Sequence, residues 1–246
     1  MLMSISIESL NIYFSELATY GKNENVIAKD ILKSFEINNS DLLYRFGQYV
    51  KYRSDPVANI TQTMNTLDFT LFEGEGDCED FTRSYIVLAK NLNLKSYYWL
   101  MWKNRNYDDG HAIPLFINES GHLTALNYTT YYSYEKITVT DEDFQKGNDN
   151  FQEAFNAIRT KLTETFQDYF VNIIVETNKN EKPIKVYDVP YNVNHNDVYT
   201  KTYPQNRSLV LKYIHALKLE RNITLSDFAV PIIASVIVAV IAKWLL

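Results

Sequence analysis

A single cysteine, Cys78, occurs in a chain of 246 residues. That excludes an intramolecular disulfide framework and any zinc site built from several thiolates. Glycine and proline are scarce, at 7 and 6, which excludes collagen-like and Gly-rich linker architectures. Positive charge is also in short supply. Lys and Arg total 24 against 30 Asp and Glu, for a net charge of -6. A nucleic-acid module ordinarily carries a basic excess, so no nucleic-acid partner is expected. The N-terminal MLMSISIESLNIYF lacks a basic stretch followed by an apolar run, so no cleavable signal peptide is expected. Internal repeats and low-complexity linkers are absent as well.

Core-forming residues are well supplied. Hydrophobic residues make up 46% and charged residues 22%, which excludes global disorder. The length allows one large domain or two small ones. Residues 228–246 (FAVPIIASVIVAVIAKWLL) are apolar, with Lys243 as their only charge. As a helix this segment is about 28 Å long, close to the hydrocarbon thickness of a bilayer. It is apolar on every face, as a span requires. Pro231 falls in its first turn, Ser226 and Asp227 can cap it, and Lys243 and Trp244 suit the interface. The competing reading is a buried core helix. Residues 207–222 have amphipathic helical spacing, with Lys212, Lys218 and Arg221 as cations. The positive-inside rule then keeps the main domain on the cytoplasmic side. The expected organisation is a soluble domain over 1–206, an amphipathic juxtamembrane helix over 207–227 and a single-pass membrane anchor over 228–246. Sequons such as those at Asn59 and Asn118 arise by chance in an Asn-rich chain and are not read as glycosylation.

Within the soluble part, 7–20 and 26–35 have helical spacing. Ser40 and Asp41 are placed to cap a helix from 42 to about 52, which Asp55-Pro56 ends. Residues 78–91 form a strong helix pattern, with Phe81, Tyr85, Leu88 and Ala89 on one face and Asp77 as the cap. Residues 95–102, rich in Tyr and Trp, read as a strand. Short strands follow at 111–117 and 123–129, around Glu119-Ser120-Gly121. Residues 141–175 read as helical over much of their length, divided near Gly147, and 185–189 as one more strand. Helices, then strands, then a helix favour an α+β fold over a parallel βαβ repeat.

The informative stretch is EGEGDCEDFTRSYIVLAKNLNL, 73–94. Cys78 follows a Gly-Asp turn and opens a helix. Backbone N–H groups and the helix dipole there favour a thiolate, the nucleophilic form. A small buried hydrophobe at a helix start is the alternative. A nucleophile of this kind needs a base, and the base an orienter. His111 stands at the mouth of an apolar strand, after Asp108-Asp109-Gly110, and Asn127 lies on the next strand. A three-residue loop, 119–121, pairs Asn118 with His122. Ile113 then faces Asn127, and His111 lies one diagonal step away on the same face. An even-numbered loop would turn Asn127 to the opposite face. A solvated strand-end histidine and an ordinary edge asparagine are the plainer alternatives. Glu73, Glu75, Asp77, Glu79 and Asp80 surround the cysteine with negative charge, which raises a thiol pKa. They read equally as a solvated acidic face with caps. A calcium site is a further alternative for these acids, although EF-hand spacing is absent. Only the Cys78 N–H is recognisable as an oxyanion donor. His122, His195 and His215 show no metal-ligand spacing.

The arrangement resembles the transglutaminase-like superfamily, within the wider papain-like thiol enzymes. The resemblance rests on GDCED (76–80) opening a helix, GHA (110–112) opening a strand, and Asn127 on the next strand. YVKYRSD (49–55), followed by TLDFTLFEGEGDCED, is similar to the approach to the cysteine in that family. Coverage runs from about 42 to 134. The resemblance implies Cys78 as nucleophile, His111 as general base and acid, and Asn127 as orienter. The family's third residue is usually Asp. Asn, the papain-type choice, orients an imidazole but supplies no charge to an imidazolium.

The expected fold is thus a transglutaminase-like α+β core, with a Cys-opened helix packed on a small antiparallel sheet, plus a C-terminal transmembrane helix. The expected function is a membrane-anchored cysteine peptidase or amidase that acts on a peptide or amide through a thioester. No cofactor or metal is expected. The rival expectation is a non-catalytic structural or binding membrane protein that retains the fold. It would be a viral or mobile-element component, located in a virion membrane in the viral case.

Overall fold

The computed structural model describes residues 24–53, 65–67, 70–71, 74–102, 110–163, 171–177, 183–188 and 198–203. The chain divides into two units, 1–207 and 208–246, and every described residue lies in the first. The predicted helices at 7–20 and 207–227 and the predicted membrane anchor at 228–246 fall outside the described residues. Among the described residues no helix is long and apolar enough to cross a membrane.

The described helices are α1 (Glu24–Ser34), α2 (Tyr44–Tyr49), α3 (Cys78–Asn91), α4 (Asp141–Lys146) and α5 (Asp149–Thr163). The strands are β1 (Lys51–Tyr52), β2 (Glu75–Gly76), β3 (Ser96–Trp102), β4 (Gly110–Ile117), β5 (Leu123–Asn127), β6 (Thr130–Tyr134), β7 (Val171–Thr177), β8 (Pro183–Asp188) and β9 (Tyr199–Thr202). Seven of them form one antiparallel sheet in the order β8-β7-β3-β4-β5-β6-β9. The α+β class is therefore observed. β1 and β2 pair separately and in parallel, joining Lys51 to Glu75 and Tyr52 to Gly76.

Side chains alternate across the sheet. On one face Tyr98 and Leu100 of β3, Ala112 of β4 and Ile173 of β7 pack with Ile86 of α3. On the other, Trp99, Ile113 and Leu115 pack with Phe144, Phe155 and Ile158 of α4 and α5. The central sheet is thus covered on both faces, and α3 is buried nearly all round. A buried ion pair, Arg83 Nη2 to Glu24 Oε2 at 3.0 Å, ties α3 to α1, and Glu24 Oε1 accepts the Leu67 N–H at 3.0 Å. Breaking such a pair would strand a buried charge.

Three expectations need correction, and β9 is not among the strands expected. Residues 171–175 are not helical. The β-branched run there becomes β7, hydrogen-bonded between β3 and β8, because a strand of this composition completes the sheet ladder. Gly147, at φ 59°, ends α4 in the left-handed conformation, as its position suggests. Ser40 and Asp41 do not cap a long helix. They lie in a 3-10 turn, Ser40–Leu42, preceded by Asn39. The Ser40 N–H and hydroxyl both donate to the Glu119 carboxylate, and Asp41 accepts from the Tyr131 hydroxyl at 3.1 Å. These polar groups serve the sheet instead of the helix. The strand expected over 123–129 stops at Asn127, where a two-residue turn leads into β6. Finally, β9 continues the sheet beyond β6, at a polar segment without the apolar alternation that marks a strand.

Candidate active site

The start of α3 is built by its own carboxylates. Asp77 Oδ1 accepts the Glu79 N–H at 3.1 Å and the Asp80 N–H at 3.3 Å. Asp80 returns the bond to the Asp77 N–H at 3.3 Å, which completes a capping box. Asp80 Oδ1 also accepts the Asn65 N–H at 2.6 Å, and Oδ2 the Asn65 amide at 3.0 Å. Gly76 leaves room for this. A Cβ there would lie 2.9 Å from the Asp80 Cβ and 3.1 Å from Thr70 Cγ2. The acids nearest the cysteine therefore include the cap that fixes where the helix, and the thiol, begin.

The hairpin joining β4 to β5 has the register that its three-residue loop dictates. Leu115, Phe116 and Ile117 face Ala125, Thr124 and Leu123. Asn118 N–H donates to the His122 carbonyl, and Gly121 adopts φ 79°. Beyond Leu115 and Ala125 the ladder between the two strands is not continued, whereas β5 pairs with β6 as far as Asn127. There the side chains take over: His111 Nε2 lies 3.3 Å from Asn127 Oδ1. An amide oxygen only accepts, so Nε2 carries the hydrogen and Nδ1 the basic lone pair.

Cys78 is 8% exposed and His111 7%. The Ala112 backbone N–H, one residue after His111, donates to the Cys78 sulfur. The first residue of α3 thereby meets the backbone of β4 one residue beyond His111. The thiol's own hydrogen bond goes elsewhere, to Glu79 Oε2 at 2.9 Å. Burial and the Glu79 carboxylate, with Asp77 behind it, push the thiol well above its ordinary range, against the Ala112 N–H. The helix-dipole expectation of a ready thiolate is outweighed, because dehydration and adjacent negative charge both favour S–H. Burial lowers the His111 pKa, opposed by the Asn127 bond and the Glu79 charge. Both directions favour the uncharged forms, a thiol and a neutral imidazole. Asp77 is itself pushed up to about 9, by burial first and then by Glu79 and Asp80, and it hydrogen-bonds Glu79.

Further residues of the site are not apparent from motif or spacing. Tyr128 follows Asn127 at φ 54°, a conformation uncommon for a bulky residue. Its ring stands 6.0 Å from His111, 5.2 Å from Phe81 and 4.5 Å from Tyr52. Burial and a hydrogen bond to Tyr52 raise its phenol, and Cys78 and Asp77 contribute. The Tyr85 hydroxyl of α3 donates to the Tyr128 carbonyl at 2.5 Å. Gly47 of α2 closes over this bond. A Cβ there would collide with the Tyr85 hydroxyl and lie 2.8 Å from the Tyr128 carbonyl oxygen. Tyr52 arrives on β1, where Arg53 pairs with Glu75 at 2.6 Å.

The thiol and carboxyl atoms of Asp77, Cys78 and Glu79 lie within 4.8 Å of one another, as metal ligands could. They are already engaged in the cap and the thiol–carboxylate bond. His122 is only partly buried and its N–H bonds Asn118 Oδ1; His195 and His215 lie outside the described residues. No protein-family model, curated protein or solved structure matches the chain.

Proposed function

We propose that the chain is a cysteine hydrolase of transglutaminase-like type, a peptidase or amidase that works through Cys78, His111 and Asn127. The observation that carries this reading is the 3.3 Å contact of His111 Nε2 with Asn127 Oδ1; Cys78, which opens a capped helix, meets β4 at the Ala112 N–H, one residue along from that histidine. Nδ1 of His111 takes the thiol proton as the sulfur forms a C–S bond to the amide carbon. The proton passes to the leaving amine as the C–N bond breaks, and a thioester remains. Water gives a proton to the same imidazole and attacks. The C–S bond then breaks, the acid departs and the proton returns to sulfur. The cap uses the N–H groups of Glu79 and Asp80, and the Cys78 N–H serves as an oxyanion donor. The apolar run at 228–246 supports attachment of this domain to a membrane, on its cytoplasmic side.

Hydrolysis of a peptide anilide by the full chain tests the reading. Cys78→Ala should abolish it. Asn127→Ala should cost about a few-fold to tenfold, since one net hydrogen bond is worth about 0.5–1.5 kcal/mol. Asn127→Asp should match or exceed the parent, because a carboxylate stabilises imidazolium. Indifference of the rate to all three changes would dismiss the triad. One observation favours a second reading, a non-catalytic membrane component: the thiol's hydrogen bond goes to the Glu79 carboxylate at 2.9 Å. A parent chain inert toward every amide offered would support it.

A further inference from the structure

Glu79 is the residue through which the thiol, the cap and the histidine communicate. Its carboxylate accepts the Cys78 S–H at 2.9 Å. Asp77 hydrogen-bonds the same carboxylate. Its negative charge also reaches the His111 ring. Other described groups that act on this cluster are Asp80 on α3 itself, the Ala112 N–H and His111 on β4, and Tyr128 at the β5–β6 turn, with Tyr52 of β1 behind it. Among these described side chains none is a Lys or Arg, and the Glu79 carboxylate is the largest charge acting on the sulfur.

We infer that Glu79 is a positioning residue for the nucleophile, a latch that holds Cys78 as an aimed, protonated thiol until its carboxylate is neutralised or drawn away. An S–H donated to Glu79 is not donated to an imidazole, so proton transfer to His111 requires this bond to break first. The same charge that opposes a thiolate stabilises an imidazolium, a contribution Asn127 cannot make. Latching therefore suppresses the resting thiol while it favours the charged histidine once transfer has occurred. A substrate bearing a cation close to its scissile amide would release the latch by pairing with Glu79.

The inference rests on Cys78 being the nucleophile, but its test needs no substrate. Cys78 is the only cysteine of the chain, so iodoacetamide labelling followed by intact-mass measurement reports it alone. The pH midpoint of labelling is compared in the parent, Glu79→Gln, Glu79→Ala and Glu79→Asp. Glu79 is only partly buried, so these variants should keep the fold. Removing a like charge at hydrogen-bond distance should lower the midpoint by about one to two units in Glu79→Gln and Glu79→Ala. Labelling below the midpoint would be about tenfold or more faster. Glu79→Asp, shorter but charged, should fall between these variants and the parent. If Glu79→Gln does not fold, the direction of the Glu79→Asp shift decides the matter. Unchanged midpoints in folded variants overturn the latch. A lowered midpoint without amide hydrolysis leaves the latch and removes the enzyme. Hydrolysis with unchanged midpoints does the reverse.

Discussion

The Asp77 carboxyl caps α3 through Oδ1 while it lies against Glu79 and Asp80. With its pKa pushed up to about 9, the folded chain keeps a proton that the unfolded chain releases near the ordinary carboxylate value. Between those limits the folded state binds more protons, so this contribution to stability is complete at low pH and is lost as pH rises through about 9. Asparagine would keep the accepting oxygen, present an N–H to Glu79 and carry no charge. Asp77→Asn should therefore melt above the parent at pH 8 and close to it at pH 4. Asp77→Ala, which loses the cap, should be destabilised by about 1 kcal/mol at pH 4, where the protonation of Asp77 makes little difference between folded and unfolded chains. A lower melting temperature for Asp77→Asn at pH 8 would mean that Asp77 works as an anion. The cap and helix start at Cys78 are legible from sequence because a Gly-Asp turn followed by acids is a local signal. The partner of the thiol is not. Five acids lie nearby in sequence, and only the packed backbone selects Glu79.

Among the elements, α2, α3 and the β5–β6 turn meet where the Tyr85 hydroxyl bonds the Tyr128 carbonyl beneath Gly47. This contact holds the left-handed residue next to Asn127 and thereby sets where the orienter of His111 stands. Tyr85→Phe should cost about 0.5–1.5 kcal/mol of stability, measured by urea unfolding. It should also reduce kcat more than KM, because Asn127 loses its support while binding surfaces stay in place. Gly47→Ala should be worse, by about 1–3 kcal/mol, since the added methyl has no space. Wild-type stability and rate in both variants would remove this contact from the account. The β4–β5 hairpin can be read in advance because Gly121 marks its loop and strand parity follows from loop length. The β5–β6 turn cannot. Tyr128 occupies a position where turns favour Gly, Asn or Asp, and its conformation is held by Tyr85, 43 residues away in sequence. β7 is hard to read from sequence because VNIIVET follows a long helical pattern, although its β-branched residues suit a strand.

For the whole molecule, the α+β class is legible from the order of sequence patterns. The seven-strand order is not, because β7 and β8 join β3 from a distant part of the chain. The described domain has its own two-sided core. A chain truncated before Ser226 should therefore remain soluble and folded, while the full chain should pellet with membranes and resist carbonate extraction. Unfolding of the truncated chain would identify 228–246 as part of the core instead of an anchor. Everything proposed about activity depends on Cys78 and His111 acting as a couple. The most direct measurement is the rate of Cys78 acylation by p-nitrophenyl acetate, followed by intact mass across pH in the parent and in His111→Ala. A single acetyl adduct, absent in Cys78→Ala, should form in the parent, and His111→Ala should slow it by about 10²–10⁴-fold. Equal rates in the parent and His111→Ala at every pH would contradict the couple.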